Sequence, residues 1–95
     1  MNEDEPPIEI PVSGELDLHA FAPRDVPSVV EEYLKACRER GILRVRLVHG
    51  RGTGAQRAVV RRVLRDLPDV AGFQDAPPEA GGWGACIVEL RRVPE

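Results

Sequence analysis

The chain has 95 residues, 42% hydrophobic and 31% charged, with one Trp, one Tyr and two Phe. That balance belongs to one small globular domain and excludes a disordered chain; no apolar run approaches the roughly 20 residues that cross a bilayer. The net charge of −3 conceals an asymmetry, since residues 1–40 carry ten acids against four bases (−6) and residues 41–95 carry six acids against nine bases (+3).

Residues 1–14, acidic and proline-interrupted, read as a flexible leader in which Ile8, Ile10 and Val12 alternate. The folded domain is expected over residues 15–95. "LDLH" reads as a first strand, with Leu16 and Leu18 on one face and Asp17 and His19 on the other. Pro23 suits the first position of a helix, Asp25 favours its positive end, and Val26, Val30, Tyr33, Leu34 and Cys37 recur at helical spacing. Pro27 predicts an irregular first turn and Gly41 closes the helix. "ILRVRLVH" reads as a second strand, with Val45, Leu47 and His49 in phase. After the glycines, a second helix carries Val59, Val60, Val63, Leu64 and Leu67 and ends at Pro68. "DVAGFQDA" reads as a third strand, "PPEAGG" as a turn-rich connector and "WGACIVELRR" as a fourth strand.

The order βαβαββ predicts an α/β fold of two layers, a mixed four-stranded sheet covered by helices. Right-handed crossovers make the first three strands parallel if each lies beside its predecessor, and the last two an antiparallel hairpin. Ligands of open α/β sheets bind at the carboxyl ends of the parallel strands. There the prediction gathers His19, His49, the glycine loop and Trp83 among its neighbouring glycines.

In "HGRGTG", Gly50, Gly52 and Gly54 alternate with Arg51 and Thr53. The glycines permit positive φ, and successive amides leading into a helix N-terminus suit a phosphate. The run lacks the lysine and hydroxyl of GxxxxGK[ST] and departs from GxGxxG, so by itself it is either an anion site or a tight turn. His49 is either a proton carrier or phosphate donor, or a core histidine. His19, out of phase with Leu16 and Leu18, is expected at the rim. Asp17, roughly 6.5 to 7 Å away along the strand, either pairs with His19 around a water or forms cross-strand ion pairs with Arg44, Arg46 or Arg91.

Seven arginines and no acid lie between Arg44 and Arg65, either a surface for a polyanion or a solvated helix face. Arg51 and Arg57 are placed to reach a bound phosphate. Arg61 and Arg65 continue the stripe of Arg57 at i+4 and i+8, as a nucleic-acid backbone would require. Trp83 either stacks on an unpaired base or covers an apolar edge. The only serines, Ser13 and Ser28, lie outside any nucleophile elbow. Cys37 and Cys86 have no partner at metal-ligand spacing and are expected to be buried apolar residues. No signal-peptide pattern opens the chain, and a cytoplasmic address is the default expectation.

"LDLH", "VHGRGTG" and "GGWGACIVELRR", in this order and at these separations, resemble the small MutS-related (Smr) domain family from about Leu16 to Arg92. The resemblance implies a fold similar to the C-terminal domain of a bacterial translation initiation factor. It also implies binding to DNA or RNA, with endonuclease activity in some members and binding alone in others. By position it implicates His19 and Asp17 in cleavage and His49, Gly50, Gly52 and Gly54 in nucleic-acid contact, with Arg57 matching a basic residue that often follows. Ala20 stands where the family usually has glycine, and Gln56 where an apolar residue commonly precedes the arginine.

The expected function is therefore a nucleic-acid-binding domain with weak endonuclease activity, the alternative being a non-catalytic binding or protein-recruiting module. Asp17 and His19 are the expected catalytic pair; His49, Gly50, Arg51, Gly52, Thr53, Gly54, Arg57, Arg61 and Trp83 are the expected contacts. The only cofactor considered is a divalent Mg or Mn ion, for which one or two carboxylates near the rim are a thin ligand set, so metal-free acid/base catalysis stays open.

Overall fold

Apolar residues at period two and period 3.6 set the elements. In a computed structural model that describes residues 13–94, they run β1 (Glu15–Asp17), α1 (Val26–Glu39), β2 (Arg44–Val48), α2 (Ala55–Asp66), β3 (Val70–Asp75) and β4 (Ala85–Leu90). Both helices lie on one face of a mixed four-stranded sheet, the two-layer α/β arrangement expected. Leu16, Leu18, Val45, Leu47 and Val88 of the sheet layer meet Val26, Val30, Leu34, Val60 and Leu64 of the helices in one buried core. Each Leu or Val buried there contributes about 1.5–3 kcal/mol of transfer free energy. Among the described residues no helix is long and apolar enough to cross a membrane.

The sheet order is β1-β2-β4-β3, with β1 and β2 parallel and β4 antiparallel to both of its neighbours. The expected β3–β4 hairpin forms, but β3 does not lie beside β2, because β4 is inserted between them. Two antiparallel steps cancel, so β3 still points the same way as β1 and β2. The reason is burial: five of the six residues of β4 are buried, which suits a central strand, whereas β3 exposes Ala71, Gln74 and Asp75 and suits an edge.

All four strands are shorter than expected, β1 and β4 because 3₁₀ turns take over one end of each. β1 ends at Asp17 because its carboxylate accepts the backbone N–H of His19 (2.9 Å), which turns Leu18–Ala20 into a 3₁₀ turn. At the other end of the chain, Gly82–Gly84 form another 3₁₀ turn, so β4 begins at Ala85 and Trp83 precedes it.

A 3₁₀ turn, Pro23–Asp25, leads into α1, and Pro27 falls in the helix's first turn, where no intrahelical donor is lost. Gly41, at φ +77°, closes α1: its N–H donates to the Arg38 carbonyl (3.0 Å) and that of Ile42 to the Cys37 carbonyl (2.8 Å). Cys37 and Cys86 are both buried free thiols, and burial pushes the Cys86 thiol up to about 11. The amides of Ser13, Gly14 and Glu15 converge on the Tyr33 hydroxyl at 3.1–3.3 Å, and that hydroxyl donates to the Glu15 carbonyl (2.9 Å). The rest of the expected leader, residues 1–12, lies outside the described residues.

On the sheet face away from the helices, Arg46 pairs with Glu15 (2.8 Å) and Arg44 with Glu89 (3.5 Å), each directly across the register. The cross-strand ion pairs considered for Asp17 are therefore not formed: Glu15 and Glu89 hold Arg46 and Arg44, and Arg91 Nε donates to the Pro68 carbonyl (3.0 Å). The loop before β4 covers part of this face, where Arg46 Nε donates to the Ala80 carbonyl (2.8 Å) and Ala76, Ala85 and Ile87 form a second apolar cluster.

Candidate functional site

The chain must leave β2 and enter α2 across six residues, and glycines make that path possible. Gly50 takes φ +81° and Gly54, the residue capping α2, takes φ +86°. At Gly50 space is limiting as well as conformation, since a β-carbon there would lie 2.5 Å from His19 Nε2. The N–H groups of His49 and Gly50 both donate to the Gly84 carbonyl (3.1 and 2.8 Å), which ties the turn to the loop before β4. The expected convergence is thus formed. Residues 49–56 with His19 and Pro23 line a cleft of about 370 Å³, which includes Arg51, Gly52 and Thr53.

His19 Nδ1 lies 2.7 Å from Asp17 Oδ1, far closer than an extended strand would place the pair, because the strand has already given way to the turn. A carboxylate only accepts, so Nδ1 carries a proton, and in the neutral ring Nε2 keeps its lone pair. It is Nε2 that lies over Gly50. Hydrogen bonds from the His19 backbone N–H and then from its ring hold the Asp17 carboxyl below its usual range. Both side chains are largely exposed, at 63% and 64%.

His49 is different. It is only 4% exposed, in phase with Val45 and Leu47, and of its two readings the core one describes its position. Its Nδ1 donates to the Gly50 carbonyl (2.9 Å), Nε2 is buried without a hydrogen-bond partner, and burial pushes its pKa down. The ring forms a wall of the cleft and pins the first peptide of the glycine turn.

The basic residues divide into two groups. Arg51 stands in the turn, its side chain against Gly82 and Gly84 and its guanidinium 3.5 Å from the Gly81 carbonyl. Arg57 and Arg61 do not line the cleft but form a ridge beside it on α2. Arg57 holds Asp75 through hydrogen bonds of 2.8, 2.9 and 3.1 Å, Arg61 lies 3.6 Å from the same carboxylate, and Arg61 also sits 5.0 Å over the Phe73 ring. Trp83, 43% exposed, has the Arg57 guanidinium 6.0 Å from its ring centroid. Asp75 is the residue that sequence reasoning missed. Its only signal was an acid at the carboxyl end of a strand neighbouring the arginine helix.

Ala20 needs no special backbone, since no non-glycine residue among those described has a positive φ. Gln56, the other departure, lines the cleft. The donor set does not suit a resident divalent ion. Asp17 spends an oxygen on His19, and among the described residues no three His, Cys, Asp or Glu side chains converge.

The family model of the Smr domain matches residues 16–91. Over 77 residues the chain is 40% identical to the Thermus thermophilus protein named endonuclease MutS2, covering 81% of this chain and 10% of that protein. The endonuclease MutS2 of Carboxydothermus hydrogenoformans is 39% identical over 77 residues, with the same coverage. The chain therefore spans about a tenth of the length of these relatives. Among solved structures, the Smr domain of Thermus thermophilus MutS2 superposes with a TM-score of 0.77 at 40% identity, covering 81% of this chain and 96% of that one. YdaL from Escherichia coli, a stand-alone small MutS-related protein, gives 0.79 at 28% identity, covering 86% and 67%. The three motifs, the superposition and the matched span agree, and the chain belongs to the Smr domain family.

Proposed function

We propose that this domain binds DNA or RNA across the glycine-turn cleft and hydrolyses a phosphodiester there, with His19 moving the proton. The observation that carries the reading is the orientation of His19. Asp17 fixes its tautomer, and the free Nε2 lies over Gly50 at the cleft wall. The relatives' name, endonuclease MutS2, supports the same chemistry.

The first-turn amides of α2 have no partner within the helix; that of Ala55 donates to Thr53 Oγ1 (3.4 Å), and Gly54, the capping residue, offers no side chain to those that follow. They and Arg51 hold the phosphate and the negative charge that grows on it. A water loses its proton to His19 Nε2 as its oxygen bonds to phosphorus, and the bond from phosphorus to the leaving oxygen breaks. Asp17 stabilises the resulting imidazolium, which returns the proton to the leaving oxygen. General acid–base catalysis of this kind contributes about 10²- to 10⁴-fold.

The test compares wild type with His19→Ala on plasmid DNA and on structured RNA, in EDTA and with added Mg or Mn. Cleavage by wild type alone is expected, and equal cleavage by both proteins removes His19 from the mechanism. The exposure of the Asp17–His19 pair favours one second reading, binding without cleavage. That reading expects salt-dependent binding, weakened by Arg51→Ala, and no product under any metal condition.

A further inference from the structure

We propose that Arg57 and Arg61 form a second phosphate subsite beside the cleft and that Asp75 is its gate, an internal carboxylate standing where a backbone phosphate would sit. The proposal rests on the nucleic-acid reading above and adds a residue that neither the motifs nor the cleft includes.

Arg57 and Arg61, one helical turn apart, share a face of α2, yet neither guanidinium is left to solvent alone. Both rest on the Asp75 carboxylate, Arg57 through three contacts of 2.8–3.1 Å and Arg61 at 3.6 Å. The fork that guanidinium presents to a carboxylate is the one it presents to phosphate, so Asp75 occupies the donors a phosphate would use. The fold has little need of this contact. Asp75 ends an edge strand, and the paired side chains are 30% and 40% exposed, where ion pairs contribute little to stability. What the contact does is hold two guanidinium groups in place, with the Trp83 and Phe73 rings as further supports at 6.0 and 5.0 Å.

The ridge is continuous with the cleft. Gln56 lines the cleft immediately before Arg57, and the glycines on either side of Trp83 lie against Arg51. Two arginines and one aspartate leave a charge of +1, enough to attract a backbone already seated in the cleft. Hydrogen bonds from Arg57 hold the Asp75 carboxyl below its usual range, so it stays ionised near neutrality and the gate answers to a competing polyanion and to salt rather than to pH.

The experiment measures binding of a labelled single strand of about 20 nucleotides between about 0.05 and 0.3 M salt. It uses wild type, Asp75→Asn, Asp75→Glu and Asp69→Asn. Asp69 is the control, an acid paired with Arg38 just before the far end of β3. Removing the gate frees about one more cation for phosphate. Asp75→Asn is therefore expected to steepen the slope of log K against log salt by about 0.7, and to bind about fivefold more tightly at 0.1 M salt. Asp75→Glu is expected to keep the wild-type slope, and Asp69→Asn to change neither quantity. Equal or weaker binding by Asp75→Asn overturns the gate, as does an equal gain by Asp69→Asn. If wild type binds without an Asp75→Asn gain, the gate alone fails. If neither protein binds, the nucleic-acid reading fails and the gate falls with it.

Discussion

Replacing Gly50 with alanine would put a methyl group 2.5 Å from His19 Nε2, about 1 Å inside ordinary contact, on a backbone held at φ +81°. The two consequences differ in kind. A left-handed conformation costs an L-residue about 1–2 kcal/mol, which in a domain of this size lowers the melting temperature by roughly 5–15 °C. The steric conflict costs the fold little, because an exposed imidazole can swing away. It costs the site more. A histidine displaced by about 1 Å loses its hydrogen bond to Asp17, and a misplacement of that size lowers a rate by about a hundredfold. Gly50→Ala should therefore melt somewhat lower, bind an oligonucleotide within about threefold of wild type and cleave about a hundredfold more slowly. Thermal melts, binding titrations and single-turnover cleavage measure these three effects. ¹⁵N spectra of the imidazoles report separately whether His19 keeps its Nδ1–H form. Wild-type cleavage with an unshifted His19 would refute the reasoning. So would a loss of binding in proportion to cleavage, because the methyl would then be blocking the cleft rather than moving the histidine.

Tyr33→Phe removes the hydroxyl on which three backbone amides converge and should cost about 1–2 kcal/mol, with faster amide exchange at residues 13–15 as the local signature. His49 should make stability depend on pH. Its folded pKa lies below the unfolded value of about 6.5, so its contribution is complete above that pH and is lost as the pH falls below it, by up to about 1.4 kcal/mol per pH unit. Urea titrations of wild type and His49→Gln from pH 8 to pH 5 measure this, and parallel curves would show that His49 titrates alike in both states. Cys86, buried with its thiol pushed up to about 11, should resist iodoacetamide at pH 8 in the folded protein and react only in denaturant.

What the sequence disclosed was mostly local. The spacing of Val26, Val30, Leu34 and Cys37 marked α1, and Gly41 marked its end, because helix periodicity and a left-handed stop are written in neighbouring residues. The burial of His49 was one of two readings open in the sequence, suggested by the phase it continues from Val45 and Leu47, though His49 was expected as a contact. The position of β4 was harder to foresee, since adjacency in the chain predicts the hairpin with β3 but not the insertion beside β2. Its clue was a continuous apolar run, "ACIV", which alternation would have broken in an edge strand. The turn at Asp17 was a competition between side-chain and ladder hydrogen bonds that pattern alone does not decide. Asp75 carried no local signature. Its significance comes entirely from α2 passing within reach.

The last strand among the described residues is one of the two central strands of the sheet. β4 is hydrogen-bonded to β2 on one edge and β3 on the other, and the residue before it, Gly84, supplies the carbonyl that secures both His49 and Gly50. A growing polypeptide that has emerged from the ribosome only as far as the glycines of the connector already contains both histidines and the whole of "HGRGTG". It lacks the strand that joins β2 to β3 and the carbonyl that anchors the turn. The pairings that complete it link residues some 40 positions apart, Val48 with Ala85 and Arg44 with Glu89 among them, so assembly waits on the slowest class of contact and then closes as a unit. The glycine turn thus depends on a residue far downstream of it, and a chain stalled before Gly84 carries the motif without the carbonyl that anchors it.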